Sequence, residues 1–389
     1  MDQVLSRPKS ANTALVHTRL FSVTELERVL SPFEPCGLPR AAYTDEAVFA
    51  FERECIFGRE WSAVGREQEL ARPGDFLRAR VAGEELLIVR GVDLELRAFH
   101  NVCRHRGMLL VEPARGRALD FTCGYHGWVY EPSGTLRVAP YMPPSFRRDC
   151  HGLAALRLGV LHGFVFVCLD PNAPPLAETL SGAPEWLTRP ELGHLRLGRS
   201  LSRDVAANWK ILVENFQESH HFQRVHPALE QQTPSASATS WTGGGAWLGG
   251  LMELSPGLRT VATPGALERP FIVPEPERHR VADALAFPAL LTSLQPDYLL
   301  TYRLEPLAAA RTRVTANIYF HAAAFAPELQ AEDVFGFWDQ VNAEDRKICE
   351  RQQLGIASRS FQCAAYSLLE EGTHAFDQWV ARRYLEATR

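Results

Sequence analysis

Between residues 101 and 134 the chain reads NVCRHRGMLLVEPARGRALDFTCGYHGWVYEPSG, placing Cys103 and His105 on one turn-rich stretch and Cys123 and His126 on a second. No other feature of the sequence restricts the fold as strongly. Each stretch ends in glycine, Gly107 or Gly127, and each offers one thiolate and one imidazole. Two loops must therefore converge on one site. Ligand identity alone suits a tetrahedral zinc as well as a binuclear cluster with two cysteines on one iron and two histidines on the other. In such a cluster the neutral imidazoles remove negative charge and raise the reduction potential.

The surroundings of this segment are those of a small antiparallel β domain. From Trp61 to about Asp170, short apolar runs such as DFLRARV, EELLIVRG and LHGFVFVCLD alternate with turn residues. Ahead of them, YTDEAVFAFERECIFGREW reads as a lead-in helix, begun by Thr44, Asp45 and Glu46 and carrying Val48, Phe51, Cys55 and Ile56 at helical spacing. The proline-rich DPNAPPLAETLSGAPEW marks a boundary. Beyond it come a helix around NWKILVENFQESHHF, strands in DYLLTYRLEPL and RTRVTANIYFH, and helices near 331–353 and 366–388. Without strict alternation of strand and helix, this is an α+β arrangement. The expected divisions are an N-terminal segment 1–40, a cluster domain with its lead-in helix at 41–175, and a second domain at 176–389.

Composition removes several function classes. A net charge of −5 with no Lys/Arg-rich run gives no footprint for nucleic acid. No apolar stretch of about 18 residues occurs, and the first twenty residues lack an apolar signal core, so a cytoplasmic protein without a membrane span is expected. Eight cysteines in 389 residues are too sparse for a disulfide scaffold. Cys36, Cys55, Cys150, Cys168, Cys349 and Cys363 lack ligand-like spacing and are expected to be small buried residues.

A second constellation lies in NWKILVENFQESHHFQRVHP. Glu214, Glu218 and His221 share one helical face, which on periodicity alone reads equally as a solvated acidic face. His226, five residues beyond His221, cannot share that face unless the helix ends or distorts, and Pro227 supplies a reason to end. In the later helix, Val334, Trp338, Val341 and Ile348 form an apolar stripe that also contains Asp345. A carboxylate there must be neutralised, paired or metal-bound. Asp339 and Glu344 fall off the stripe and read as solvated. The glycine-rich SWTGGGAWLGG carries no phosphate fingerprint. Trp241 and Trp247 flank Gly243 to Gly245 and read as a candidate substrate lid or cation–π cage, or as packing aromatics.

CRHRG and CGYHGW resemble the Rieske [2Fe–2S] motif in order and in neighbouring residues, with Gly124 where many relatives carry proline. NWK at 208–210, Glu-x-x-His-x4-His at 218–226 and EDRKICERQQLG at 344–355 are similar to the catalytic domain of the Rieske non-haem iron oxygenase α subunits. The resemblance implies a helix-grip, START-like catalytic domain. It implies a cluster on Cys103, His105, Cys123 and His126, a mononuclear Fe(II) held by His221, His226 and Asp345, and Glu218 and Asn215 as catalytic groups. It also implies a head-to-tail homotrimer in which Glu218 links the iron site to a neighbour's His126. Electrons would come from an NAD(P)H-dependent reductase, with or without a ferredoxin, to oxidise a small organic substrate with O₂. Glu218, where ring dioxygenases carry aspartate, is nearer the choline, betaine and carnitine branch, although ESHH departs from that branch's usual wording. Expectation favours monooxygenation or N-dealkylation over ring cis-dihydroxylation. An electron carrier needs two irons per chain, an oxygenase three and a zinc module none.

Overall fold

The computed structural model describes residues 21–33, 35–242, 246–363 and 365–387. Residues 1–20 of the expected N-terminal segment, and the lid glycines Gly243 to Gly245, lie outside the described residues.

Among the described residues ten strands build the first half: β1 (Ser62–Arg66), β2 (Asp75–Val81), β3 (Glu84–Arg90), β4 (Leu96–His100), β5 (Arg115–Arg117), β6 (Phe121–Thr122), β7 (Val129–Tyr130), β8 (Leu136–Val138), β9 (Ala155–Leu161) and β10 (Phe164–Cys168). Seven form one sheet in the order β1-β10-β9-β4-β3-β2-β5, while β6, β7 and β8 form a small separate sheet. Every pairing is antiparallel. The continuous apolar run of β3 has a physical reason. Leu87 and Val89 pack into a core that contains Cys103 and Cys123, whereas Leu86 and Ile88 pack into a second core on the other face.

Among the described residues seven strands build the second half: β11 (Arg196–Val205), β12 (Thr239–Thr242), β13 (Trp247–Glu253), β14 (Arg280–Ala286), β15 (Leu290–Leu294), β16 (Tyr298–Ala308) and β17 (Arg311–Phe320). They form an antiparallel sheet in the order β11-β17-β16-β15-β14-β13-β12. The helices Trp209–Phe216, Glu332–Ile356 and Glu371–Ala387 accompany this sheet, the last starting five residues later than its sequence pattern suggested. The α+β architecture with antiparallel sheets is thus the one expected. No helix among the described residues is long and apolar enough to cross a membrane.

The lead-in helix, Glu46–Glu52, starts where expected, with the Asp45 carboxylate accepting the Ala47 N–H at 2.8 Å. Glu52 is fully buried and accepts hydrogen bonds from Trp209 Nε1 at 2.9 Å, Lys210 Nζ at 2.5 Å and the Tyr384 hydroxyl. The buried charge needs its cation, and that cation stands on a helix of the second half; residues 41–57 join a core that takes in Phe164 and Phe166 of β10 as well as Trp209 and Ile211 of that helix. The NWK motif acquires a structural meaning: Asn208 caps its helix by accepting the Lys210 N–H at 3.0 Å, and Trp209 and Lys210 clamp Glu52.

Among the remaining cysteines, Cys55, Cys168 and Cys349 are buried as expected, but Cys36 and Cys363 are half-buried and Cys150 is exposed. Cys150 lies in the surface turn Arg148–His151, which buries nothing.

Candidate metal centres and the cavity beside them

The two Cys/His loops fold alike. Cys103 N–H donates to the Met108 carbonyl at 2.8 Å and Cys123 N–H to the Trp128 carbonyl at 2.7 Å, while Gly107 and Gly127 N–H close back on Cys103 and Cys123 at 3.1 and 3.0 Å. Both glycines have positive φ, +76° and +69°, which side-chain-bearing residues rarely adopt. The result places both thiols in the core and both imidazoles at the surface tip. The two Nδ1 atoms approach to 3.1 Å, and His105 stacks on Trp128. The Tyr130 hydroxyl lies 3.4 Å from Cys103 Sγ and accepts the Arg104 N–H at 2.9 Å. Two buried sulfurs facing two convergent imidazoles fit a [2Fe–2S] group with one iron on each pair.

The second centre is assembled from a broken helix. Trp209–Phe216 stops at Gln217, and a short helix then runs over Phe222–Val225. His226 breaks the chain again, at φ −122° and ψ 70°, before Pro227 starts a third helix. The break expected between His221 and His226 is therefore accompanied by an earlier one. Glu214 consequently does not share a face with Glu218. It is buried and accepts the Tyr43 hydroxyl at 2.7 Å, and its carbonyl accepts the Thr373 hydroxyl at 3.2 Å.

His221, His226 and Asp345 each direct one ligand atom into a common space, all within 4.8 Å of one another. Asp345 Oδ1 lies 2.8 Å from His226 Nε2 and 3.6 Å from His221 Nε2. Asn215 donates to Asp345 at 3.2 Å and stands 3.1 Å from His221 Nε2. Behind the imidazoles, Glu218 lies 2.6 Å from His221 Nδ1 and Glu344 lies 2.7 Å from His226 Nδ1. Both Nε2 atoms are thereby aimed at the shared space. Burial opposes charge on His221, yet hydrogen bonds to Asp345 and Glu218 outweigh it and raise the imidazole to about 9. Burial would raise Asp345, but its bonds to His221 and His226 hold it below the usual carboxylate range. Two imidazoles and one carboxylate on one side fit a non-haem ferrous ion with open positions.

Those open positions face a cavity of about 320 Å³. Its floor is the catalytic sheet, where cross-strand pairs carry Leu201, Ala316, Tyr302 and Leu291 in one row across β11, β17, β16 and β15. Side chains two residues apart along these strands face the same way, which brings Ser293 and Asp283 into the neighbouring row. The helices bearing the triad form the roof.

Three residues of the site were not anticipated. Glu344, read as solvated, backs His226, because the ring lies between two consecutive acids of the helix, with Glu344 at Nδ1 and Asp345 at Nε2. Cys349 Sγ donates to Asn215 Oδ1 at 2.9 Å. Asp283 interrupts an alternation, Val281 and Leu285 standing on either side of it, and that interruption was the available signal. The two tryptophans do not reach the cavity. Trp247 is buried on β13 with its indole N–H donated to the Leu180 carbonyl at 3.1 Å, and Trp241 packs edge-on to Trp186 at 6.4 Å. Both belong to the hairpin at the far edge of the sheet, which explains their packing role. Asp339 pairs with Arg199 at 2.8 Å near the cavity mouth.

Glu344→Ala is expected to lower mononuclear iron affinity by about 10–100-fold, the usual effect of losing an imidazole's outer partner. Iron retained after dialysis against graded chelator measures this, and cluster absorbance should not change.

A cluster-bearing β domain joined to a helix-and-sheet domain with a two-histidine, one-carboxylate centre defines the Rieske oxygenase α subunits. The chain belongs to this family: residues 192–386 match the ring hydroxylating alpha subunit (catalytic domain) and residues 60–162 match the Rieske [2Fe-2S] domain. It is an oxidoreductase that uses O₂, with a Rieske cluster and a mononuclear iron site. It is 27% identical to the glycine betaine monooxygenase oxygenase subunit of Chromohalobacter salexigens, over 89% of this chain and 85% of that protein. It is 35% identical to the carnitine monooxygenase oxygenase subunit of Escherichia coli K12, over 51% of this chain and 54% of that protein. Among solved structures, a quaternary ammonium Rieske monooxygenase studied for carnitine oxidation by gut microbiota superposes with TM-score 0.82 at 26% identity, covering 92% of this chain and 98% of that one. Naphthalene 1,2-dioxygenase from Rhodococcus shares the fold, with TM-score 0.77 at 19% identity over 97% of this chain and 99% of that one.

Proposed function

We propose that this chain inserts one oxygen atom into a carbon–hydrogen bond beside nitrogen in a small organic substrate, a hydroxylation that collapses to oxidative N-dealkylation. The observation that carries the reading is the pair of carboxylates, Glu218 and Glu344, behind two imidazoles whose Nε2 atoms converge with Asp345 at the wall of a cavity. The glutamate at 218 and the monooxygenase relatives favour insertion of one oxygen over two.

In this reading His221, His226 and Asp345 hold Fe(II), and Cys103, His105, Cys123 and His126 hold the cluster. Bound ferrous iron supplies O₂ activation, with two electrons arriving singly through the cluster. Glu218 and Glu344 fix the imidazole tautomers. Asn215 holds Asp345 by its amide and is itself held by Cys349. The apolar floor excludes water and presents the substrate's alkyl group to the open side of the triad. The electron source is a separate NAD(P)H-dependent reductase, with or without a ferredoxin, in the cytoplasm. The active assembly is a homotrimer, with Glu218 of one subunit facing the cluster histidine His126 of the next.

The test is turnover of an N-methylated substrate panel by the iron-loaded protein with a surrogate reductase and isotopically labelled O₂. Formaldehyde release with one labelled atom per substrate oxidised supports the reading. A diol containing both labelled atoms would replace it with ring or alkene dihydroxylation. For the electron bridge, Glu218→Gln should keep all three irons and a reducible cluster while turnover falls by at least ~100-fold, the upper end for an outer-shell partner. Near-parent turnover with filled sites removes the bridge.

A further inference from the structure

Asp283 stands where a carboxylate is costly. It lies in the interior of β14, on the cavity-facing row, and aspartate is disfavoured in strands while an enclosed carboxylate requires a partner. The protein supplies little. Across the sheet its neighbours are Ser293 on β15 and Gly250 on β13, and the glycine brings no side chain. The Ser293 hydroxyl is engaged elsewhere as well, accepting from Gln295 Nε2 at 2.9 Å. Asp283 Oδ1 is buried without a hydrogen-bond partner, and among the described residues no lysine, arginine or histidine forms an ion pair with this carboxylate. Burial accordingly pushes its pKa up to about 7. Of the other buried acids packed with this sheet, Glu52 is met by Lys210 and Asp297 by Arg269 at 3.0 Å, while Glu214 and Asp377 each accept a tyrosine hydroxyl.

An enclosed acid set against one serine hydroxyl and no cation, with its remaining surface in the wall of the cavity, has a missing counter-charge. We propose that Asp283 is the specificity-determining residue of the cavity and that it pairs with a cationic nitrogen of the substrate, a protonated amine or a quaternary ammonium. The inference rests on reading this cavity as the substrate site. Val281, Leu291 and Met252 offer apolar contact to the alkyl groups around that nitrogen. The rest of the molecule extends along the floor past Tyr302 toward the triad. A neutral hydrocarbon would leave the carboxylate uncompensated, so the same residue that admits amines discriminates against unsubstituted aromatic rings.

The test uses the full-length protein with both metal centres filled, titrated calorimetrically with choline, with N,N-dimethylethanolamine below its pKa, and with 3,3-dimethylbutan-1-ol, the neutral carbon isostere of choline. Both cations are expected to bind at least about tenfold more tightly than the isostere, in keeping with a hydrogen-bonded or ion-paired charged group. Asp283→Asn should erase the preference, and Asp283→Glu should keep part of it. Thermal unfolding separates this role from a structural one. Removing an unpaired buried carboxylate should leave the melting temperature unchanged or raise it, whereas removing a structural acid would lower it. Equal binding of cations and isostere by the parent protein overturns the proposal. So does an Asp283→Asn variant that retains the preference, or one whose only change is a lower melting temperature. The oxygenase reading is judged separately, by reductase-driven O₂ uptake. Loss of that uptake with the cation preference intact sinks the reaction and leaves this site standing.

Discussion

Asp345→Ala is expected to remove the mononuclear iron, to leave the cluster spectrum intact, and to cut turnover by well over the ~100-fold that loss of an outer-shell partner costs. Asp345 is the only carboxylate of the three-residue group identified at the candidate iron site among the described residues, and one of its oxygens approaches both ligand imidazoles. Without it, two neutral nitrogens must hold a divalent cation on their own. Asn215, which stands 3.1 Å from His221 Nε2, also donates to this carboxylate and would lose its acceptor. Iron analysis should fall from three atoms per chain to two. A variant that still binds three would make Asp345 a structural acid and place the third ligand elsewhere.

Cys123→Ala should produce the complementary loss. The Cys123 thiol is buried beside Cys103 in an apolar core with Phe76, Leu87 and Phe99, so no surface residue can take its place as a ligand. The visible absorbance of the cluster should vanish, both cluster irons with it, and reductase-driven turnover should become undetectable while one iron per chain remains at the triad. The Rieske half should also become less stable, because metal binding energy is folding energy for loops that carry the ligands. An unaltered cluster spectrum in Cys123→Ala would overturn the ligand assignment. Together the two variants dissect one activity into two metal inventories, which a merely destabilised fold would not reproduce.

The cluster site was legible because it is local. Each loop is closed by its own backbone hydrogen bonds, from Cys103 to Met108 and from Cys123 to Trp128, and glycine ends both turns. The triad was legible in part. The five-residue spacing of His221 and His226, with Pro227 after them, announced a break, and an acid on an apolar stripe announced Asp345. The same periodicity misplaced Glu214, since the helix ends at Phe216 and the phase it carries ends there too. It also misplaced Glu344, which sits about 100° from Asp345 around the helix and so left the stripe.

What the sequence determined by itself was therefore whatever short-range geometry encodes: the two thiol–imidazole loops, the strand alternation, the helical stripe and the α+β class. Tertiary structure alone decided which of those side chains meet. His226 and Glu344 are 118 residues apart, Asn215 and Asp345 130, and Glu52 and Lys210 158. Alternation puts Asp283 on the face of Val281 and Leu285, but whether that face is core or cavity depends on helices standing off the sheet. Trp241 and Trp247 flank a glycine-rich stretch of sequence in either case, and only the order of strands places them at the far edge. Periodicity fixes the direction of a side chain relative to its own element. Its partner is fixed by how distant elements dock, and docking depends on summed burial across the whole chain rather than on any one segment.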